Sequence, residues 1–120
     1  MRVRALRGAI TIESDTREEV IRSTVELLEE MLNRNDVAAD DIIYILFSAT
    51  DDIRSEFPAA SVRRLGLGQV PVMCAKELAI NDSLPLAIRA MMVLYTDRAR
   101  EQLRHVYLRD ARQLRTDLPE

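Results

Sequence analysis

The sequence is poor in soft-metal and redox chemistry. It holds one cysteine, Cys74, so no disulfide can form within the chain. It holds one histidine, His105, which leaves too few nitrogen and sulfur ligands for a usual zinc site. No apolar run comes near the ~20 residues needed to span a bilayer. The opening Met1-Arg2-Val3-Arg4 returns to arginine at Arg7, so no signal-peptide stretch follows it. There is no glycine-rich loop of the nucleotide-binding kinds, no internal repeat and no low-complexity linker. Lysine is nearly missing too: of 17 basic residues only Lys76 is lysine and the rest are arginine. A net charge of −3 and a pI near 5.3 exclude the basic footprint of general nucleic-acid binding. These absences predict a reduced, cytoplasmic domain with no metal, no cofactor, no membrane contact and no nucleic-acid partner.

What is present is globular. The 120 residues, 48% apolar and 31% charged, suit one domain over 1–120 with a core that needs no staples. Val3 to Ile12 reads as a strand. Asp15-Thr16-Arg17-Glu18 has the form of a capping box, with Asp15 as N-cap. The helix that follows sets Val20, Ile21, Thr24, Val25, Leu27, Leu28, Met31 and Leu32 on one stripe, with glutamates and Arg22 facing water. Ile42 to Phe47 is a continuous apolar run, the pattern of a strand covered on both faces. Pro58 opens a short helix that Gly66 ends. Val70 to Cys74, Ile88 to Thr96 and Leu103 to Leu108 read as further strands, followed by a brief helical or irregular tail from about 109. The result is an α+β (α/β-like) domain: a mixed sheet packed by one long and one or more short helices. So little helix cannot cover both faces of so apolar a sheet, which implies that other copies of the chain cover part of it.

Function shows where polar residues break an apolar pattern. Arg89 sits inside Ile88-Arg89-Ala90-Met91-Met92-Val93-Leu94, where a buried unpaired charge would cost several kcal/mol. It therefore needs a carboxylate from the protein or an anion from outside. Arg7 repeats the anomaly beside Gly8, whose missing side chain lets another group approach the backbone. Glu77, just beyond the strand ending at Cys74, is the natural partner of either arginine. One glutamate facing two arginines leaves a positive pocket suited to an anion. Tyr107 reads as a half-buried strand tyrosine with a phenol available for hydrogen bonding, and Cys74 as an inert buried thiol.

Taken in order, Arg7-Gly8-Ala9, Ser48-Ala49-Thr50, Phe57-Pro58-Ala59, Val70-Pro71-Val72, Cys74 with Glu77, Ile88-Arg89 and Arg104-His105-Val106-Tyr107-Leu108 resemble the monofunctional chorismate mutases of the trimeric pseudo-α/β-barrel class. The likeness runs from about residue 3 to Leu118. It implies a homotrimer with active sites between subunits and a cofactor-free Claisen rearrangement of the dicarboxylate chorismate to prephenate, feeding phenylalanine and tyrosine synthesis. It implies Arg89 as donor to the ether oxygen, Arg7 and Tyr107 on a carboxylate, and Glu77 on the ring hydroxyl. Cys74 would line the site, with the backbone of Met73, Cys74, Ala75, Lys76 and Glu77 running along the ligand. Phe57 and Arg63 would reach in from the adjoining subunit, and Leu114 and Arg115 would help close the cleft. Ala60 departs from the family pattern, which can carry a basic residue there, and Thr116 departs from an expected proline. Two other readings use similar clamps: a trimeric imine or enamine deaminase, and a trimer that binds an anionic metabolite without catalysis.

Overall fold

The computed structural model describes residues 1–114. Arg115 and Thr116, part of the anticipated tail, lie outside the described residues. Five strands, β1 (Arg2–Thr11), β2 (Ile42–Ala49), β3 (Val72–Lys76), β4 (Ala87–Thr96) and β5 (Val106–Leu108), form one mixed sheet in the order β3-β2-β4-β1-β5. Only β4 runs against its neighbours β1 and β2; the β2–β3 and β1–β5 pairs are parallel. The one α-helix among the described residues, α1 (Arg17–Asn35), joins β1 to β2 and packs on one face of the sheet. Short 3-10 turns lie at Ala39–Asp41, Pro58–Arg63, Arg100–Gln102 and Arg109–Leu114.

Why α1 forms and where it stops follow from local chemistry. Val20, Leu27, Leu28 and Met31 are fully buried, and they meet Leu6 and Ile10 of β1, Ile45 and Phe47 of β2, and Ile88, Met92 and Leu94 of β4. Each such side chain contributes on the order of 1.5–3 kcal/mol when taken from water. The N-cap is one residue later than the sequence pattern suggests: Thr16 Oγ1 accepts from the Glu19 amide at 3.2 Å. Asp15 is engaged elsewhere, because its carboxylate accepts from the Arg54 and Ser55 amides and the Ser55 hydroxyl. Asp36 ends the helix in the left-handed conformation, φ 50°, its amide donating to the Leu32 carbonyl. Gly8 is needed by this packing: a Cβ there would sit 2.5 Å from Met31 Sδ and 3.0 Å from Leu27 Cδ1. The group that approaches its backbone is the helix.

Three expectations are corrected. The last strand begins at Val106, not Leu103, because the buried Asn35 holds the backbone of Arg104 through both amide and carbonyl, at 2.7 and 2.9 Å. Those bonds replace a sheet ladder. The apolar run in β2 is covered on one face only within the chain: Tyr44 and Leu46 stand exposed on the side away from α1. Val3, Met73 and Tyr95 are exposed on that same face, opposite or next to them in register. This open face also carries Arg89, whose side chain is 46% exposed, so Arg89 is not a buried charge in the single chain.

Candidate active site

Side chains alternate across a strand, so the sheet register decides which polar residues meet. On the open face it builds one transverse row: Ala75 on β3, Ser48 on β2, Arg89 on β4, Ala9 on β1 and Tyr107 on β5. The residues flanking Arg89 are small, which leaves a hollow above the row. Arg7 lies one step along β1, opposite Met91, and so is a diagonal neighbour of Arg89. Such neighbours are separated by about 7–8 Å. Arg7, Arg89, Tyr107, Ser48, Met91 and Leu114 line the resulting cleft of about 270 Å³.

Each group is held by its own local contacts. The Arg7 amide donates to Nδ1 of His105 at 2.9 Å, which tightens the parallel β1–β5 pairing at the point where Arg7 and Tyr107 emerge. His105 is buried; desolvation, and then the nearby Arg7 charge, push its pKa below the usual imidazole range. The imidazole is thus neutral, and a neutral ring accepting at Nδ1 carries its proton on Nε2. Glu77 is anchored by its amide to the Ala49 carbonyl at 2.9 Å. Its Oε2 accepts a short hydrogen bond from Ser48 and lies 3.7 Å from Arg89 Nε. The Tyr107 hydroxyl is buried and has no hydrogen-bond partner among the described residues.

The tail is fastened just before it reaches the cleft. Arg109, at φ 56°, donates to the Thr11 carbonyl at 2.9 Å, to Ser23 Oγ at 3.1 Å and to Glu19 and Glu26 at 3.3 Å. Burial pushes the Glu19 carboxyl up, but hydrogen bonds from Ser23 and Arg22 and the charges of Arg22 and Arg109 outweigh it and hold the pKa low. The chain then turns so that Ala111 and Leu114 pack on Ala9 and Tyr107. Leu114 forms a wall of the cleft.

The other anticipated residues stand apart in the single chain. Phe57, Cys74, Ala75 and Lys76 line a separate depression of about 550 Å³, between β3 and the segment before Pro58. Cys74 faces the α1 side of the sheet, packed against the core, and burial raises its thiol pKa, with a partial offset from the Ala59 backbone. Met73 is exposed on the open face and Arg63 is exposed on its 3-10 turn; neither lines these two clefts. The structure thus joins Arg7, Arg89, Tyr107 and Leu114, with Glu77 tied to Arg89 and Ser48. It leaves Phe57, Arg63 and Cys74 on another surface. Sequence reasoning gave Ser48 no role; its signal was a hydroxyl directly after the apolar run Ile42 to Phe47.

Comparison with known proteins identifies the family. The profile of the family described as chorismate mutase type I matches residues 3–118. The chain is 43% identical over 119 residues to chorismate mutase AroH of Bacillus subtilis, covering 98% of this chain and 94% of that protein. It is 42% identical over 117 residues to chorismate mutase AroH of Thermus thermophilus, covering 97% and 96%. A solved chorismate mutase from Clostridium thermocellum superposes with a TM-score of 0.90 at 38% identity, covering 92% of this chain and 98% of that one. Profile, sequence and fold agree over nearly the full length: the chain belongs to the type I chorismate mutase family and is, with it, an isomerase.

Proposed function

We propose that the protein converts chorismate to prephenate by a cofactor-free Claisen rearrangement, in the cytoplasmic synthesis of phenylalanine and tyrosine, as a homotrimer with its active sites between subunits. The observation that carries this reading is the row of Ser48, Arg89, Ala9 and Tyr107 with Arg7 beside it. Two guanidinium groups and a buried phenol with no hydrogen-bond partner among the described residues face one hollow whose described lining contains no carboxylate, while Glu77 stands beside it on Arg89. That balance suits a dianion.

The reaction is unimolecular and pericyclic: one C–O bond breaks as one C–C bond forms within a single molecule. No proton, nucleophile or electron acceptor has to be supplied. The protein contributes positioning and charge. Arg7 and Tyr107 bind a carboxylate and hold the substrate in its compact diaxial conformer. Glu77 accepts from the ring hydroxyl and fixes the other end. Arg89 donates to the ether oxygen, where negative charge grows as the C–O bond lengthens; a fixed cationic donor in a dry site is worth most there. Leu114 and the backbone from Met73 to Glu77 border the ligand, with Cys74 contributing main chain only, since its side chain packs on the α1 side of the sheet.

The open sheet face supports the trimer. Tyr44, Leu46, Met73, Val3 and Tyr95 leave an apolar surface that the chain's own helix cannot reach. A neighbouring copy on this face would bring Phe57 and Arg63, which stand apart from Arg89 within one chain, to the cleft. Adding purified protein to chorismate tests the whole reading. Prompt loss of chorismate with prephenate as product, abolished by Arg89→Ala in a protein of trimer mass, is the expected result. A folded trimer that leaves chorismate unchanged at the uncatalysed rate refutes it.

A further inference from the structure

The ion pair between Arg89 and Glu77 is wide. Charge-assisted N–H···O contacts between a guanidinium and a carboxylate close to about 2.7–2.9 Å. Here Arg89 Nε stands 3.7 Å from Glu77 Oε2, and the same oxygen takes the short hydrogen bond from Ser48 Oγ. Ser48 is the cross-strand neighbour of Arg89, so hydroxyl and guanidinium approach the carboxylate from adjacent strands. The Glu77 backbone is pinned to Ala49, which leaves side-chain rotation as the motion that would close the gap. The distance to be closed is roughly 1 Å. The hydroxyl prevails over the cation in this contest.

We propose that Ser48 is a positioning residue for the rearrangement: its hydroxyl tethers the Glu77 carboxylate away from the Arg89 guanidinium. The inference rests on the reaction proposed above and deepens it. With the tether in place, the donors of Arg89 stay aimed into the cleft and Glu77 presents Oε1 to the substrate hydroxyl. Without it, the carboxylate swings onto Arg89 and forms an ordinary forked pair. That closure engages a donor meant for the ether oxygen and neutralises much of the local positive potential. It also withdraws Glu77 from the ring hydroxyl. Misplacement of a catalytic group by about 1 Å is sufficient to cost on the order of a hundredfold in rate.

A double-mutant cycle separates this role from a merely structural one. Ser48→Ala lowers kcat about ten- to a hundredfold, with a smaller rise in KM and an unchanged Tm. In a Glu77→Gln background, where a neutral amide has no ionic attraction to Arg89, the same Ser48→Ala change alters kcat by less than about threefold. Two effects that multiply independently in the cycle overturn the tether, as does full activity of Ser48→Ala. A crystal structure of Ser48→Ala is the second readout. Glu77 and Arg89 within about 3 Å supports the inference, and an unchanged 3.7 Å separation refutes it. If the unaltered protein itself fails to turn over chorismate, the reaction assignment falls, and the catalytic role of Ser48 falls with it. An active parent with an indifferent Ser48→Ala variant removes the tether alone.

Discussion

Replacing Arg89 by lysine should separate activity from stability. Arg89 is 46% exposed in the single chain and its partner Glu77 lies 3.7 Å away. An exposed pair of that geometry is worth about 0–1 kcal/mol. The aliphatic part of lysine still covers the strand, so Arg89→Lys should shift folding stability by less than about 1 kcal/mol. The chemical step is different. Loss of one preorganised donor to a developing oxyanion costs about 2.7–4 kcal/mol, or 10²–10³ in kcat. Lysine keeps the charge but replaces a planar fork with a point donor on a flexible stem. It cannot serve the ether oxygen while the neighbouring carboxylate of Glu77 draws it aside. The expected result is a kcat loss of at least about a hundredfold with the Tm within a few degrees of the parent. Chorismate disappearance followed spectroscopically, beside a thermal melt of the same preparation, measures both. A Lys variant with near-native kcat would falsify the role given to Arg89, and an equal fall in Tm and activity would make it structural.

Three further outcomes follow from particular contacts. Gly8→Ala pushes a methyl into Met31 and Leu27, so it should destabilise the fold by about 1–3 kcal/mol of overpacking; an unchanged Tm would mean that α1 yields without cost. Tyr107→Phe removes a buried hydroxyl that has no partner among the described residues. Stability should therefore hold, while a lost bond to a substrate carboxylate raises KM about ten- to a hundredfold; an unaltered KM removes Tyr107 from binding. His105 has a folded pKa below its unfolded value of about 6.5, so its contribution is complete above that pH and is lost as pH falls from there through the folded value. His105→Asn keeps an acceptor for the Arg7 amide without an imidazole to titrate, so its Tm should fall less than the parent's between pH 7 and 5. Parallel curves would assign the acid sensitivity to other groups.

How far each of these contacts could be read from the chain depends on what kind of information encodes it. The stripe of α1 was legible because residues three and four apart meet on one helix face whatever the rest of the chain does. The cap slipped by one residue because Asp15 and Thr16 are both competent caps, and the choice went to whichever was not claimed by a distant loop. Here Arg54 and Ser55 claimed Asp15. Arg89 was visible as an anomaly in an apolar strand, yet its burial was misjudged. β4 carries apolar residues on both faces, and sequence does not say that one of those faces lies open in the single chain.

By itself, then, the sequence determined the elements to within a few residues, the helix face, the scarcity of cysteine and histidine, and the arginines that break their surroundings. It also carried the ordered motifs that resemble the family. Only the tertiary structure decided that β4 inserts between β1 and β2, and in which register. That register is what sets Ser48, Arg89, Ala9 and Tyr107 in one row and points Cys74 to the other side of the sheet. The physical reason is locality. Periodicity and capping are contests among neighbours a few residues apart, whereas strand order and register are settled by contacts between segments 27 or more residues apart, through the total apolar area each arrangement buries.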